Sequence, residues 1–458
     1  MIENDAFKLL LINLFHLNPD DIANILCTTF NKMMVLVVTL TDKHQACPYC
    51  GFTAPKIKEY VTKEITHSAL TTQKCIIKYR ARRYKCSCCG KTYYEFNPFV
   101  FKSQKISILT VHNILKDLKD FNETFTSVAR RYHVSPTSVS TIFDNHVDIG
   151  RNPLPEIINF DEVYAFKSEK SKYVCVLLDF KKQIPVDVLP NRKKEYLLNY
   201  FQKIPLEERK KVKYACSDMY EVYRDVVHKV FPSCCMLLDY FHLSQDFHRK
   251  MNEVRIKVMK GYKDNKASDE YYLLKKFNWL LFKNPEDEDK YGRLFDVERE
   301  RKYNSHFKSY MNYYDLRKKL LEINNDLTIC YSLKLELVDF YSKSTIDNAK
   351  VNLENLIRSC IDTNIDEMIA FSNNLINWKQ EIINSFTIVG TEYKVEADKG
   401  QVVVCNKKVN NAIIENRNKI IKCIKNNANG YTNWPRFRNR VMYVLDPNAT
   451  FSLEPREK

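Results

Sequence analysis

The spacing of apolar and polar residues changes along the chain, and each change predicts a different kind of element. Residues 1–42 predict a short helix, a loop at Asn18-Pro19 and a strand over Lys32–Leu40. Between 43 and 97, strand-like runs at Glu59–Ile65 and Lys74–Tyr84 alternate with cysteine pairs. Residues 105–147 follow the helical period, and the Pro-rich stretch Arg151–Pro155 reads as a linker. From 157 to 242 the pattern predicts strands at Ile157–Phe166, Tyr173–Phe180 and Ile184–Val188. A helix at Glu195–Ile204, a strand at Val212–Cys216, a helix at Tyr220–Val230 and a strand at Cys234–Leu238 follow, in the order βββαβαβ. Pro185 places the third of these strands at a sheet edge. Residues 243–400 are charged and largely helical in pattern, with strand character only near Tyr393–Val404. A well-patterned helix over 409–426 and a basic, aromatic tail end the chain. There is no internal repeat.

The length of 458 residues predicts roughly three domains. Apolar residues make up 45%, enough for packed cores, and only 8 glycines exclude collagen-like and Gly-rich linker architectures. No window approaches the roughly 20 apolar residues of a membrane span. The N-terminal segment lacks a basic leader and a cleavage site, so secretion is not expected. Most of the 15 cysteines sit singly in apolar runs (Cys27, Cys175, Cys216, Cys330, Cys360), as reduced thiols in a cytosol would. A net charge of +16 favours a polyanionic partner.

Two C-x-x-C-G knuckles, Cys47–Gly51 and Cys86–Gly90, offer four thiolates, the donor set of a structural zinc ion. The glycine after each pair permits the positive φ such a turn requires. Cys88 is a spare thiol. Four thiolates leave no open coordination position, so the role is structural. Arg80, Arg82, Arg83, Lys85 and Lys91 cluster beside the second knuckle, either as phosphate contacts or as a solvated face.

In Phe121–Val147, Phe125, Val128, Ala129 and Tyr132 form one helical face, a turn follows at His133-Val134, and Ser135-Pro136 can cap and start the next helix. With a preceding helix at Ile106–Leu118 this predicts a helix-turn-helix. Thr137, Ser138, Ser140, Thr141 and Asn145 are the exposed positions of its last helix, able to reach base edges or phosphates, and Arg130 and Arg131 would lie near the DNA backbone.

In the βββαβαβ segment the fourth strand is expected beside the first, which brings Asp218 close to Asp161. Two such carboxylates repel unless a cation lies between them, and Mg²⁺ favours this oxygen donor set. The plainer alternative is that Asp218 caps the following helix. Glu162 and Asp179 are further acidic candidates, with Glu162 facing away from Asp161. On the 409–426 helix, Asn411, Glu415, Asn418 and Lys422 form a polar stripe opposite Ile413, Ile414, Ile420, Ile421 and Ile424. That stripe either is solvated or presents Glu415 to a metal and Lys422 to phosphate.

These residues, in this order, resemble the ISL-three family of insertion-sequence transposases. The resemblance rests on CPYCG and RRYKCSCCG, NFDEVYAF around Asp161, CSDMYEVY around Asp218, LLDYFH at Leu237–His242, WLLFKN at Trp279–Asn284, and Asn410–Arg440, and it covers nearly the whole chain. It implies a multidomain α+β fold. The parts are a zinc-ribbon-like domain (1–100), a helix-turn-helix DNA-binding domain (101–150), and an RNase H-like α/β catalytic core in two pieces (151–242 and 401–458) interrupted by a mainly helical insertion (243–400). It implies that Asp161, Asp218 and Glu415 are a DDE triad binding two Mg²⁺ (or Mn²⁺), supported by Asp239 and His242. Where the family usually has glycines, this chain has Ala412 and Asn416, both compatible with a helix. The implied activity is metal-dependent cleavage and strand transfer of double-stranded DNA at terminal inverted repeats. It would be carried out by a homodimer or larger assembly in the bacterial cytoplasm, associated with the nucleoid when on DNA. Arg82, Arg83, Arg130, Arg131, Thr137, Ser138, Thr141, Lys422, Arg436 and Arg438 are the expected DNA contacts. A transposase-derived regulator without catalysis and an RNase H-type nuclease are the rival readings. The three carboxylates speak against the first, the long insertion and the two recognition modules against the second.

Overall fold

The computed structural model describes residues 2–43, 46–53, 55–70, 72–101, 104–166, 171–395 and 402–456. The N-terminal unit begins with α1 (Ile2–Leu14), followed by β1 (Ile22–Phe30), β2 (Met33–Leu40), β3 (Lys56–Thr66), β4 (Cys75–Lys85) and β5 (Thr92–Tyr94). Its sheet runs β1-β2-β4-β3 with β5 on the far end of β4, and Leu11 and Ile12 of α1, with Phe15 just after it, are buried against the sheet. Strand β1 was not expected from the pattern. Asn31 and Lys32 both take positive φ (48° and 60°), forming a two-residue turn between β1 and β2, so Lys32 lies in a hairpin turn rather than a strand.

Three short helices follow: α2 (Ile108–Asp117), α3 (Phe125–Arg131) and α4 (Pro136–His146). Each start is fixed by a side-chain cap. Ser107 accepts from the Thr110 amide, Thr124 and Ser127 cap each other, and Ser135 accepts from the Ser138 amide ahead of Pro136. The turn after α3 places His133 at φ 54°. Val111, Ile114, Leu115, Val128, Ala129, Val139, Ile142 and Phe143 make a common core.

The central sheet comprises β6 (Ile157–Val163), β7 (Val174–Asp179), β8 (Pro185–Leu189), β9 (Tyr214–Ser217) and β10 (Cys235–Leu238). Helices α5 (Lys194–Gln202), α6 (Leu206–Arg209) and α7 (Glu221–Val230) lie between the later strands. The spatial order is β10-β9-β6-β7-β8, with β6-β7-β8 antiparallel and β6-β9-β10 parallel. As the βββαβαβ pattern predicts, the fourth strand (β9) lies beside the first (β6), and β8 with its proline is at the edge. One face is covered by α5 and α7.

The chain leaves this sheet through α8 (Tyr240–Lys260). It then forms α9 (Asp269–Lys276), two small hairpins β11–β12 (Glu288–Asp289, Gly292–Arg293) and β13–β14 (Lys302–Asn304, Ser309–Met311), and α10 (Tyr313–Glu322). Helices α11 (Asn325–Lys343), α12 (Ala349–Asp362), α13 (Asp366–Asn377) and α14 (Lys379–Asn384) complete the excursion. The two hairpins were not expected. They are two- and three-residue ladders, too short to leave an alternation in the sequence. The helices share one continuous core of their own. A hairpin of β15 (Ile388–Val395) and β16 (Val402–Lys408) returns the chain, and the centre of the expected 393–404 strand pattern, residues 396–401, lies outside the described residues. Helices α15 (Ala412–Asn427) and α16 (Trp434–Leu445) then cover the second face of the central sheet. Among the described residues no helix is long and apolar enough to cross a membrane.

Candidate functional site

Strand β6 alternates strictly, so Ile158, Phe160 and Glu162 face α5 and α7 while Asn159, Asp161 and Val163 face α15. The β6–β9 register pairs Asn159 with Cys216. Two residues further along each chain segment, past the end of the ladder, come Asp161 and Asp218, and the charge of Asp218 acts on Asp161. The two carboxylates are electrostatically coupled and mostly buried. Desolvation, with the negative charge of Asp218 and Glu162, pushes Asp161 up to about 7, and desolvation, with the charge of Glu162 and Asp239, pushes Asp218 up to about 6. Asp218 does not cap a helix. Helix α7 starts at Glu221 with no side-chain cap, and Asp218 Oδ1 is buried without a hydrogen-bond partner.

Helix α15 approaches with the first part of its polar stripe, Asn411 to Asn418, turned inward, while Lys422 stays exposed. Asn411 is fully buried, and its Oδ1 accepts from Asn159 Nδ2 at 2.7 Å while its own Nδ2 donates to the Phe160 carbonyl at 3.3 Å. Two turns on, Asn418 Nδ2 donates to Asp161 Oδ2 at 2.8 Å. Between them Glu415 projects toward α8, with Oε1 3.8 Å from His242 Nε2, and Asp239 Oδ2 lies 3.7 Å from the same nitrogen. One ligand atom from each of Asp239, His242 and Glu415 falls within 4.8 Å of the others. Asp239 is also pushed up, chiefly by burial, and His242 opposes that rise. The structure therefore brings all five predicted residues to one end of the sheet. The tightest group is Asp239–His242–Glu415, with Asp161 and Asp218 joined to it through charge.

The donor chemistry fits divalent cations. Asp218 Oδ1, Asp239 Oδ2 and His242 Nε2 are buried atoms with no hydrogen-bond partner, and buried carboxylates held this close are costly unless a cation compensates them. Glu162 lies on the other face, paired with Arg192 and within 3.2 Å of Tyr223 Oη. Asp179 holds a turn by accepting from the amides of Lys181 and Lys182. Asn159 and Asn418 bond to groups of the site. In the sequence Asn418 stands on the polar stripe without a role, and Asn159 was missed, although a lone Asn inside the apolar run Ile157–Phe160 was the available signal.

The second cluster is the cysteine set. Cys47, Cys50, Cys86 and Cys89 bring their sulfurs within 4.8 Å of one another, with Cys47–Cys89 at 3.7 Å and Cys50–Cys86 at 3.6 Å. Gly51 and Gly90 take φ of 73° and 71°, as the knuckles require, and Cys88 stays outside on the surface. This set is compatible with structural zinc.

The predicted DNA contacts divide sharply. Thr137, Thr141, Arg130 and Lys422 are exposed, and Ser138 is half-buried at the start of α4. The other arginines are held by carboxylates of the same chain. Arg82 pairs with Glu95 at 2.7 Å, Arg83 with Glu59 at 2.7 Å, Arg131 with Asp117 and Glu123, Arg436 with Asp144 at 2.6 Å, and Arg438 with Asp187 at 2.6 Å. The aromatic residues of the tail are packing: Trp434 and Phe437 contact Phe166. Arg440 is buried and donates to the carbonyls of Asp120 and Glu123, both at 2.8 Å, so α16 fastens the three-helix unit to the central sheet.

Comparison with known proteins places this geometry in context. The profile of the ISL3-type DDE family, described as "Transposase", matches residues 158–397, just over half of the chain. A transposase for insertion sequence element IS1001 from Bordetella parapertussis is 19% identical over 411 residues, which cover 89% of this chain and 91% of that protein. The profile match spans Asp161, Asp218, Asp239, His242 and the helical excursion, and ends before Glu415. The chain belongs to the ISL3 family of DDE transposases.

Proposed function

We propose that this protein cleaves DNA at the ends of an insertion sequence and joins those ends to target DNA, with Asp161, Asp218 and Glu415 as its metal-binding triad. The observation that carries this reading is that Asp161 and Asp218, both with raised proton affinity, lie beside His242, which Glu415 and Asp239 flank, with one unpartnered buried oxygen on Asp218 and one on Asp239. Asp161, Asp218 and Glu415 would hold two Mg²⁺ or Mn²⁺ ions, with Asp239 and His242 beside them. Bound there, the ions would activate the attacking oxygen and offset charge on the phosphodiester. Asn418 holds the Asp161 carboxylate in place, and Asn411 fixes the start of α15 so that Glu415 reaches the same end of the sheet. His242 Nε2 lies between Asp239 and Glu415, 3.7 and 3.8 Å from their nearest carboxylate oxygens, and separates the two carboxylates.

In this reading residues 1–100 form a zinc-stabilised unit, 101–150 a helix-turn-helix, 151–242 and 401–458 an RNase H-like core, and 243–400 its insertion. Thr137, Ser138 and Thr141 on α4, with Arg130 nearby, would meet the terminal inverted repeats, and Lys422 would meet DNA beside the site. Handling two ends calls for a dimer or larger assembly on DNA.

The test is an Mg²⁺-dependent cleavage assay on a duplex that carries the inverted repeat flanking the gene. Wild type should cut, and Asp161→Asn and Glu415→Gln should lose at least about a thousandfold in rate while still binding the duplex. Binding without cleavage by the wild type would instead identify a regulator.

A further inference from the structure

Beyond the carboxylates, α8 carries a second polar feature with no assigned role. His242, Gln245, Asp246 and Arg249 are spaced three, four and seven residues from the first, so they share one helical face. Together with Asp218 and Met219 they line a groove of about 340 Å³ that opens from the acidic cluster. At 1.5 Å per residue, Arg249 stands roughly 10 Å along the axis from His242, a span of about three base steps of duplex DNA.

The groove is built rather than incidental. Asp246 is buried, and one of its oxygens accepts from Arg249 Nη2 while the other accepts from Asn374 Nδ2 of α13 at 2.8 Å. A carboxylate held from below by Asn374 thus grips one edge of the guanidinium. The Arg249 side chain is 65% exposed, and its remaining N–H donors are free to face the groove. A guanidinium fixed on one edge and open on the other suits a phosphate oxygen. Gln245 is exposed one turn nearer the acidic cluster and offers a second donor. Many other arginines, including Arg82, Arg131, Arg436 and Arg438, are consumed by carboxylates that join elements. Arg249 is paired with a residue of its own helix and left facing a groove that begins at Asp218.

We propose that this groove seats the sugar–phosphate backbone next to the reacting phosphodiester. Arg249 contacts one phosphate there, and Asp246 and Asn374 act as positioning residues for it. This inference rests on reading the acidic cluster as the reacting centre. It also gives the helical excursion a task, since α13 reaches the substrate through Asn374 and Asp246.

The experiment uses the full chain and the duplex carrying the gene-flanking repeat, in buffer without added Mg²⁺ or Mn²⁺ so that no chemistry occurs while zinc stays bound. Binding is read by fluorescence anisotropy over a KCl series. Arg249→Ala is expected to weaken binding roughly tenfold and to flatten the slope of log K against log[KCl] by about 0.9, the release of one phosphate contact. Arg249→Lys should keep the slope, and Gln245→Ala should weaken binding by a smaller factor with the slope unchanged. A duplex with a single methylphosphonate near the repeat end should erase the difference between wild type and Arg249→Ala at one position. Arg249→Gln, which keeps most of the side-chain volume, replaces the alanine variant should that fail to fold. Wild-type slope and affinity in Arg249→Ala or Arg249→Gln, or a deficit that no single methylphosphonate removes, would overturn the proposal. Either result obtained with Mg²⁺-dependent cleavage intact removes the groove alone. A slope change without any cleavage by the wild type removes the catalytic reading instead.

Discussion

Asp161 and Asp218 bind protons more tightly in the folded chain than an ordinary carboxylate near 3.9 does, because burial and neighbouring carboxylates penalise their ionised forms. The sign of the pH effect follows. Their contribution to stability is fully present below about 4 and is lost as pH rises through about 6 to 7. In EDTA, calorimetric melting should therefore show this stabilisation at pH 5 and its loss at pH 8. Mg²⁺ should raise Tm far more at pH 8 than at pH 5. Asp161→Asn should melt above wild type at pH 8 in EDTA, since the amide removes the buried charge, and this gain should vanish at pH 5. An unchanged difference at both pH values would contradict the burial account. The acidic residues themselves were legible in the sequence because strand-end carboxylates stand out against apolar runs. Their partners were less so, since Asn159, Asn411 and Asn418 acquire meaning only once α15 lies across β6, some 250 residues away in sequence.

At the level of elements, long periodic segments were readable and short ones were not. The five strands of the central sheet and helices α2–α4 follow their patterns because burial on one face enforces a period. Strand β1 escaped notice because its hairpin depends on two left-handed residues, Asn31 and Lys32, without a glycine to mark the turn. The basic tail reads as a DNA-binding segment by composition, but α16 directs Arg436, Arg438 and Arg440 inward. Replacing Arg440 by Met should cost about 2 to 4 kcal/mol, as the carbonyls of Asp120 and Glu123 lose a charged donor. Hydrogen exchange should then rise first in α2–α4, and equal protection there in the variant would show that α16 does not fasten this unit. Ser135→Ala should cost about 1 kcal/mol through the lost cap of α4, measured by urea unfolding.

For the whole molecule, the four-cysteine cluster lies in a part of the N-terminal unit that has little core of its own, with Tyr84 and Tyr93 as its main apolar neighbours. Purified protein should contain about one zinc per chain by elemental analysis. Cys86→Ser should lower that content and expose residues 43–97 to proteolysis while the melting of the central sheet persists. Retained zinc in this variant would argue against the tetrathiolate. What the sequence determined by itself were properties carried by local spacing: the knuckles and their glycines, the Ser135 cap, and the succession of strands and helices along the central segment. These depend on backbone geometry within a few residues, so the chain states them directly. What only the tertiary structure decided was the fate of charge. Whether an arginine meets DNA or a carboxylate of its own chain, and whether a polar helix face is solvated or buried, depends on which surfaces distant segments cover, and Coulomb energies rise steeply as water is excluded. Composition records the charges, and the fold assigns their partners.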